Sequence, residues 1–124
     1  MSYSDGLQVT YTIPARVLTA AGDLFIASSP RPGMTGRLTS ICAVMTATAG
    51  GAGTPVIQAG VDGGDVDAYG SVTIPAAAAA DSIHNTLVRG PVDRIPADSL
   101  VNISQLGVST TTGTADIVVT IEWS

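Results

Sequence analysis

From Ala115 to Trp123 the chain alternates without a break. Ala115, Ile117, Val119, Ile121 and Trp123 fall on one side, and Asp116, Val118, Thr120 and Glu122 on the other. A period of two is that of a β-strand with one face on a core. Leu100 to Val108 is also β-rich, and Ser109 to Gly113 between the two runs is turn-forming (STTTG). The chain is therefore expected to end in a β-hairpin whose Trp-bearing strand is central. The same alternation opens it: Leu7, Val9, Tyr11 and Ile13 interleave with Gln8, Thr10 and Thr12. That predicts a half-buried strand stopped by Pro14. Arg16–Thr19 and Leu24–Ala27 read as a short hairpin or one kinked strand.

The middle of the chain has the same rhythm. Arg37–Thr48 is apolar on both faces, with Ile41, Ala43 and Met45 on one and Cys42 and Val44 on the other. Such a strand is central, or has its second face covered by a neighbouring subunit. Pro55–Val61, Ser71–Ile74 and Ile83–Val88 are further strands between Gly- and Pro-rich turns. Five alanines at 76–80 are too few to nucleate a helix and predict a loop or single turn. In Leu100–Val108, Val101 and Ile103 differ in parity from Leu106 and Val108, so either both faces are apolar or a β-bulge near Ser104-Gln105 shifts the register. Ile-Pro-Ala occurs at 13–15, 74–76 and 95–97. Each copy fits an apolar anchor followed by a chain-redirecting proline.

Seven or eight short strands without a βαβ rhythm predict an all-β, single-domain antiparallel β-sandwich, jelly-roll-like, with about eight strands. Residues 1–15 are expected to form an N-terminal arm or edge strand, and residues 16–124 the sandwich.

Composition narrows the partners. Apolar residues make up 45% of the chain and charged residues 12%, about half the usual charged share. A surface so poor in charge resists association weakly, which points to burial of part of it in a partner. There is no Lys, and the net charge is −5. An acidic chain without basic clusters is not built for nucleic acid or an anionic membrane. Cys42 stands alone, so no internal disulfide is expected. No secretion signal or membrane span is visible, and synthesis in the cytoplasm is expected.

Candidate chemistry is sparse. His84, the only histidine, lacks a companion for catalysis, so a strand or rim position is expected. Asp62, Asp65 and Asp67 are weak metal candidates, since hard cations take several oxygens from a loop. The pattern lacks the order and terminal Glu of the helical calcium loop, and a charged hairpin tip explains it as well. Asp93-Arg94 and Asp98 fit an ion pair or turn cap. Tyr3, Tyr69 or Trp123 would be the platforms for a sugar. No phosphate loop, zinc site or carboxylate pair is evident, so neither an enzyme nor a cofactor is expected.

The stretches GRLTSICAVMTAT (36–48), PVIQAGVDGGDVD (55–67), IPADSLVNISQL (95–106) and GTADIVVTIEW (113–123) resemble the small jelly-roll proteins of tailed-bacteriophage heads, especially decoration (cement) proteins and head-fibre modules. The resemblance covers residues 36–124 and rests on rhythm and turn placement. Such modules commonly carry Gly where this chain has Asp98. The resemblance implies a structural virion protein on the outer capsid surface. It would bind the major capsid protein, form a homotrimer, and stabilise the head against packaged DNA. The N-terminal strand would then contact a neighbour through Leu7, Val9, Tyr11 and Ile13, with Trp123 as a further interface candidate. The alternative is a head-fibre or tail-associated receptor- or glycan-binding module, and a host-encoded carbohydrate-binding or adhesin-like sandwich comes third.

Overall fold

Each alternating run becomes a strand because its apolar side chains need one common interior and its Thr and Ser side chains do not. A computed structural model describes residues 7–87 and 94–124. It contains β1 (Leu7–Val17), β2 (Gly22–Ala27), β3 (Gly36–Ala47), β4 (Val56–Val61), β5 (Gly70–Thr73), β6 (Ile83–Leu87), β7 (Val101–Leu106) and β8 (Thr114–Trp123). The first sheet has the order β1-β8-β3-β6 and the second β2-β7-β4-β5. All pairings are antiparallel. Of the consecutive strand pairs only β4 and β5 are hydrogen-bonded neighbours; every other connection crosses between sheets. This is the double-sheet jelly roll.

The core lies between the sheets. From β8 come Ala115, Ile117, Val119, Ile121 and Trp123, all fully buried. Leu38, Ile41, Ala43 and Met45 of β3 sit beside them, facing Ile57, Ala59, Val101 and Ile103 of the second sheet. β8 is central in its sheet, between β1 and β3.

Three expectations need correction. β7 and β8 lie in different sheets, so the chain does not end in a hairpin. Ser109–Gly113 is a crossing between layers, anchored by Ser109 N–H donating to Leu18 O at 2.9 Å. Pro14 does not end β1. The strand absorbs it in a register shift between Ile13 and Arg16, with Ala15 at φ 50°. This is tolerable because β1 is an edge strand, where a missing N–H interrupts no second ladder. β1 and β2 belong to different sheets, so 16–27 is neither a hairpin nor one kinked strand.

The parity conflict in β7 also resolves. Its pairing with β4 is continuous from Leu106 to Val101, so β7 has no bulge; the shift is in β2, between Asp23 and Phe25. Gln105 rather than Leu106 takes the inward slot, because that end of the sandwich presents polar partners. The Gln105 amide donates to Leu18 O and Gly107 O, each at 2.9 Å, and accepts from Arg16 Nε at 3.3 Å. Leu106 is left 59% exposed.

Two of the Ile-Pro-Ala copies build the same turn. Ile74 and Ile95 are fully buried anchors. Ala78 N–H then donates to Pro75 O, and Ser99 N–H to Pro96 O, both at 3.3 Å. The third turn residue is left-handed in each: Ala77 at φ 57° and Asp98 at φ 61°. Asp98 tolerates this through its short polar side chain, and its Oδ1 accepts from Gly33 N–H at 2.9 Å. Ala77 is exposed and has no such side chain. Replacing it with glycine removes a left-handed penalty of about 1–2 kcal/mol and adds an unfolded-state entropy cost of about 0.5–1 kcal/mol. Ala77→Gly should therefore raise stability by about 0.5–1 kcal/mol in urea denaturation. Asp98→Gly should change it little, since relief is offset by the lost Gly33 bond.

Candidate interaction surface

The outer face of the first sheet carries the side chains that alternate with the core. β8 presents Asp116, Val118, Thr120 and Glu122, all half-buried. In register beside Val118 are Cys42 and Thr12, and beside Thr120 are Ser40 and Thr10. Val44 and Ile83 pair further along, and Ile83 is 66% exposed. The centre of this face is thus Val, Cys, Thr and Ser. Its charges stand in the flanking rows, Arg37 opposite Glu122 on one side and Asp116, opposite Val44, on the other. Burial raises the pKa of the Cys42 thiol, so it behaves as a small apolar group.

The β1 candidates point the other way. Leu7, Val9, Tyr11 and Ile13 pair opposite Trp123, Ile121, Val119 and Ile117 and so face inward. Val9, Tyr11 and Ile13 pack on the core, while Leu7 is 40% exposed at the end of the seam. Tyr11 and Phe25 close the gap between the edge strands, ring centroids 5.6 Å apart. Trp123 Nε1 donates to Tyr11 Oη at 3.0 Å from a fully buried position, so Trp123 belongs to the core and has no surface to offer. The 15/16 division falls inside β1. Residues 1–6, Tyr3 among them, lie outside the described residues.

The three metal candidates do not act together. Asp65 Oδ1 accepts from Asp67 N–H at 3.4 Å. Hydrogen bonding to Asp65 and then its charge raise the pKa of Asp67. That favours the folded tip on the acid side, and the contribution is lost as pH rises through the raised folded value. Asp62 instead accepts from Asn102 Nδ2 at 3.3 Å, as does Asp23. Among the described residues no three His, Cys, Asp or Glu side chains form a metal-holding group.

His84 has a partner that spacing did not reveal. Ser82 Oγ lies 3.0 Å from its Nε2, and Ser82 donates its own proton to Ala79 O at 2.6 Å. The serine hydroxyl is thus engaged with a carbonyl. This arrangement orders the turn before β6. Asp93 lies outside the described residues, while Arg94 Nη1 donates to Thr35 Oγ1 at 3.3 Å.

A groove of about 260 Å³ lies between the β2–β3 loop and the segment before β7, lined by Ser28–Pro32 and Asp98–Leu100. It has hydroxyls and Arg31 but no aromatic ring. Tyr69 is only 6% exposed and Trp123 is fully buried, so neither is a sugar-stacking platform. No helix among the described residues is long and apolar enough to cross a membrane. No protein-family model matches the chain, and no curated protein matches it.

Proposed function

We propose that this chain is a structural virion protein that attaches to the outer surface of a bacteriophage capsid, binds the major capsid protein, and stabilises the head as a homotrimer. The observation that carries the reading is the outer face of β1-β8-β3-β6, with Val118, Cys42, Thr120 and Ser40 at its centre and charge only in the flanking rows. Depletion of charge at the centre of a patch marks the core of an interface. The resemblance of residues 36–124 to decoration proteins gives that interface a partner. Repetition over a symmetric shell turns modest contacts into firm retention by avidity. The acidic net charge of −5 suits a site away from packaged DNA.

The contact differs from the arm first expected. Val9, Tyr11 and Ile13 seal the chain's own core, so the outer sheet face is the binding surface. Light scattering behind a sizing column should give a mass near three times 12.4 kDa. Val118→Arg should leave the melting temperature within a few degrees, because Val118 lies on the outer side of β8, while reducing trimer content or capsid attachment at least tenfold. An unchanged mass and unchanged attachment in that variant would remove this face from the interface.

A further inference from the structure

We propose that Asp23, Asp62 and Asn102 form a site for a divalent cation of the calcium class on the outer face of the second sheet. Asn102 lies within β7, between Ile26 of β2 and Gly60 of β4. It is only 7% exposed. Its Nδ2 reaches two carboxylates from different elements, Asp23 Oδ1 in β2 and Asp62 Oδ1 just after β4, each at 3.3 Å. Two anions thus converge on one neutral amide, and both Asp residues keep an exposed side.

The amide itself is incompletely satisfied. Asn102 Oδ1 is buried and has no hydrogen-bond partner. Its surroundings are rich in oxygen. The turn after β4 folds back so that the carbonyl oxygens of Asp65 and Val66 lie 2.2 and 2.4 Å from where a Gly60 Cβ would stand. Gly60 is directly opposite Asn102, and the Cβ positions of such a pair are about 5 Å apart. These carbonyls and the Asn102 side chain therefore share the outer face of two adjacent strands. A carboxamide exchanges its oxygen and nitrogen by a half-turn. Turned over, Asn102 aims Oδ1 between the two carboxylates, and three side-chain oxygens converge.

Calcium takes six to eight oxygens in irregular geometry from carboxylates, amides, carbonyls and water. A mixed set from three elements, open to water on one side, suits it better than magnesium, which demands a near-ideal octahedron. The acidic turn residues Asp65 and Asp67 add negative potential without being ligands. A bound ion would tie the edge strand β2 to the β4–β5 turn across β7. The spacing of Asp62, Asp65 and Asp67 hides this site because two of its three ligands come from elsewhere in the chain.

The test uses the full chain, stripped with chelator and titrated with calcium chloride at constant ionic strength. Calorimetry should show one ion per chain with a Kd of about 10⁻⁴–10⁻³ M. At 5 mM calcium the melting temperature should rise by several degrees, and by less with magnesium. The side-chain amide NMR signals of Asn102 should move during the titration. Asp23→Asn and Asp62→Asn should each abolish the calcium effect, while Asp65→Asn and Asp67→Asn retain it. No calcium effect on the unmodified chain would overturn the proposal. So would an effect that survives both Asp23→Asn and Asp62→Asn, or one that leaves the Asn102 amide signals in place.

Discussion

Trp123→Ala is expected to lower the unfolding free energy by about 3–5 kcal/mol, out of a total of about 5–15 kcal/mol for a domain of this kind. The indole is fully buried at the end of the central strand β8. Its removal opens a cavity where β8 meets β1 and β3, through the pairs with Leu7 and Gly36. It also takes away the donor that holds Tyr11 Oη at 3.0 Å, and Tyr11 in turn packs at a tilt against Phe25 across the sandwich edge. Trp123→Phe separates these effects. It keeps most of the volume and loses the hydrogen bond, so it should cost about 1–2 kcal/mol. Urea denaturation of the two variants measures both.

Gly36→Ala should cost about 1–3 kcal/mol by the opposite route, overpacking of the same place. A Cβ on Gly36 would stand 2.7 Å from Cε3 and Cζ3 of Trp123 and 3.1 Å from Cδ1 of Ile95. The backbone has no room to yield. Gly36 exchanges N–H and C=O bonds with Ile95 at 2.9 and 2.8 Å, and the adjacent Thr35 does so with Ser124 at 2.9 Å. Because the clash is with the indole, the two sites are coupled. In a Trp123→Leu background, Gly36→Ala should cost less than 0.5 kcal/mol, and a double-mutant cycle reads the difference. A full cost in that background would show that Gly36 is required for its backbone alone.

These residues also show what the sequence made legible. The alternation from Ala115 to Trp123 gave the inward face of β8 residue by residue, because a strand has only two sides and one had to be apolar. The partners of that face were not legible. β1 pairs with β8 across most of the chain, Leu7 with Trp123, and local pattern carries no record of such pairings. The turn Ser109–Gly113 misled for a related reason: the residues that reverse a chain within a sheet also carry it between sheets. Pro14 misled because an edge strand tolerates the lost donor. Gly36 gave no signal, since its role depends on an indole 87 positions away. The acidic turn was visible, but the grouping of Asp62 with Asp23 and Asn102 needed the sheet order.

The same distinction governs the proposed role. Cys42 and Val44 on the second face of β3 pointed to a central strand or a covered surface, and β3 is central, between β8 and β6. The structure adds that Val118 and Thr120 of β8 and Thr10 and Thr12 of β1 continue this face over neighbouring strands. The occupant of that face comes from the resemblance to decoration proteins, so the direct measurement is binding to capsids. The purified chain is mixed with undecorated shells of the cognate major capsid protein, and the amount that co-sediments is measured against concentration. The proposed function predicts saturation at a fixed number of trimers per shell, with Val118→Arg at least tenfold weaker. A folded protein that stays in the supernatant at every concentration would contradict it.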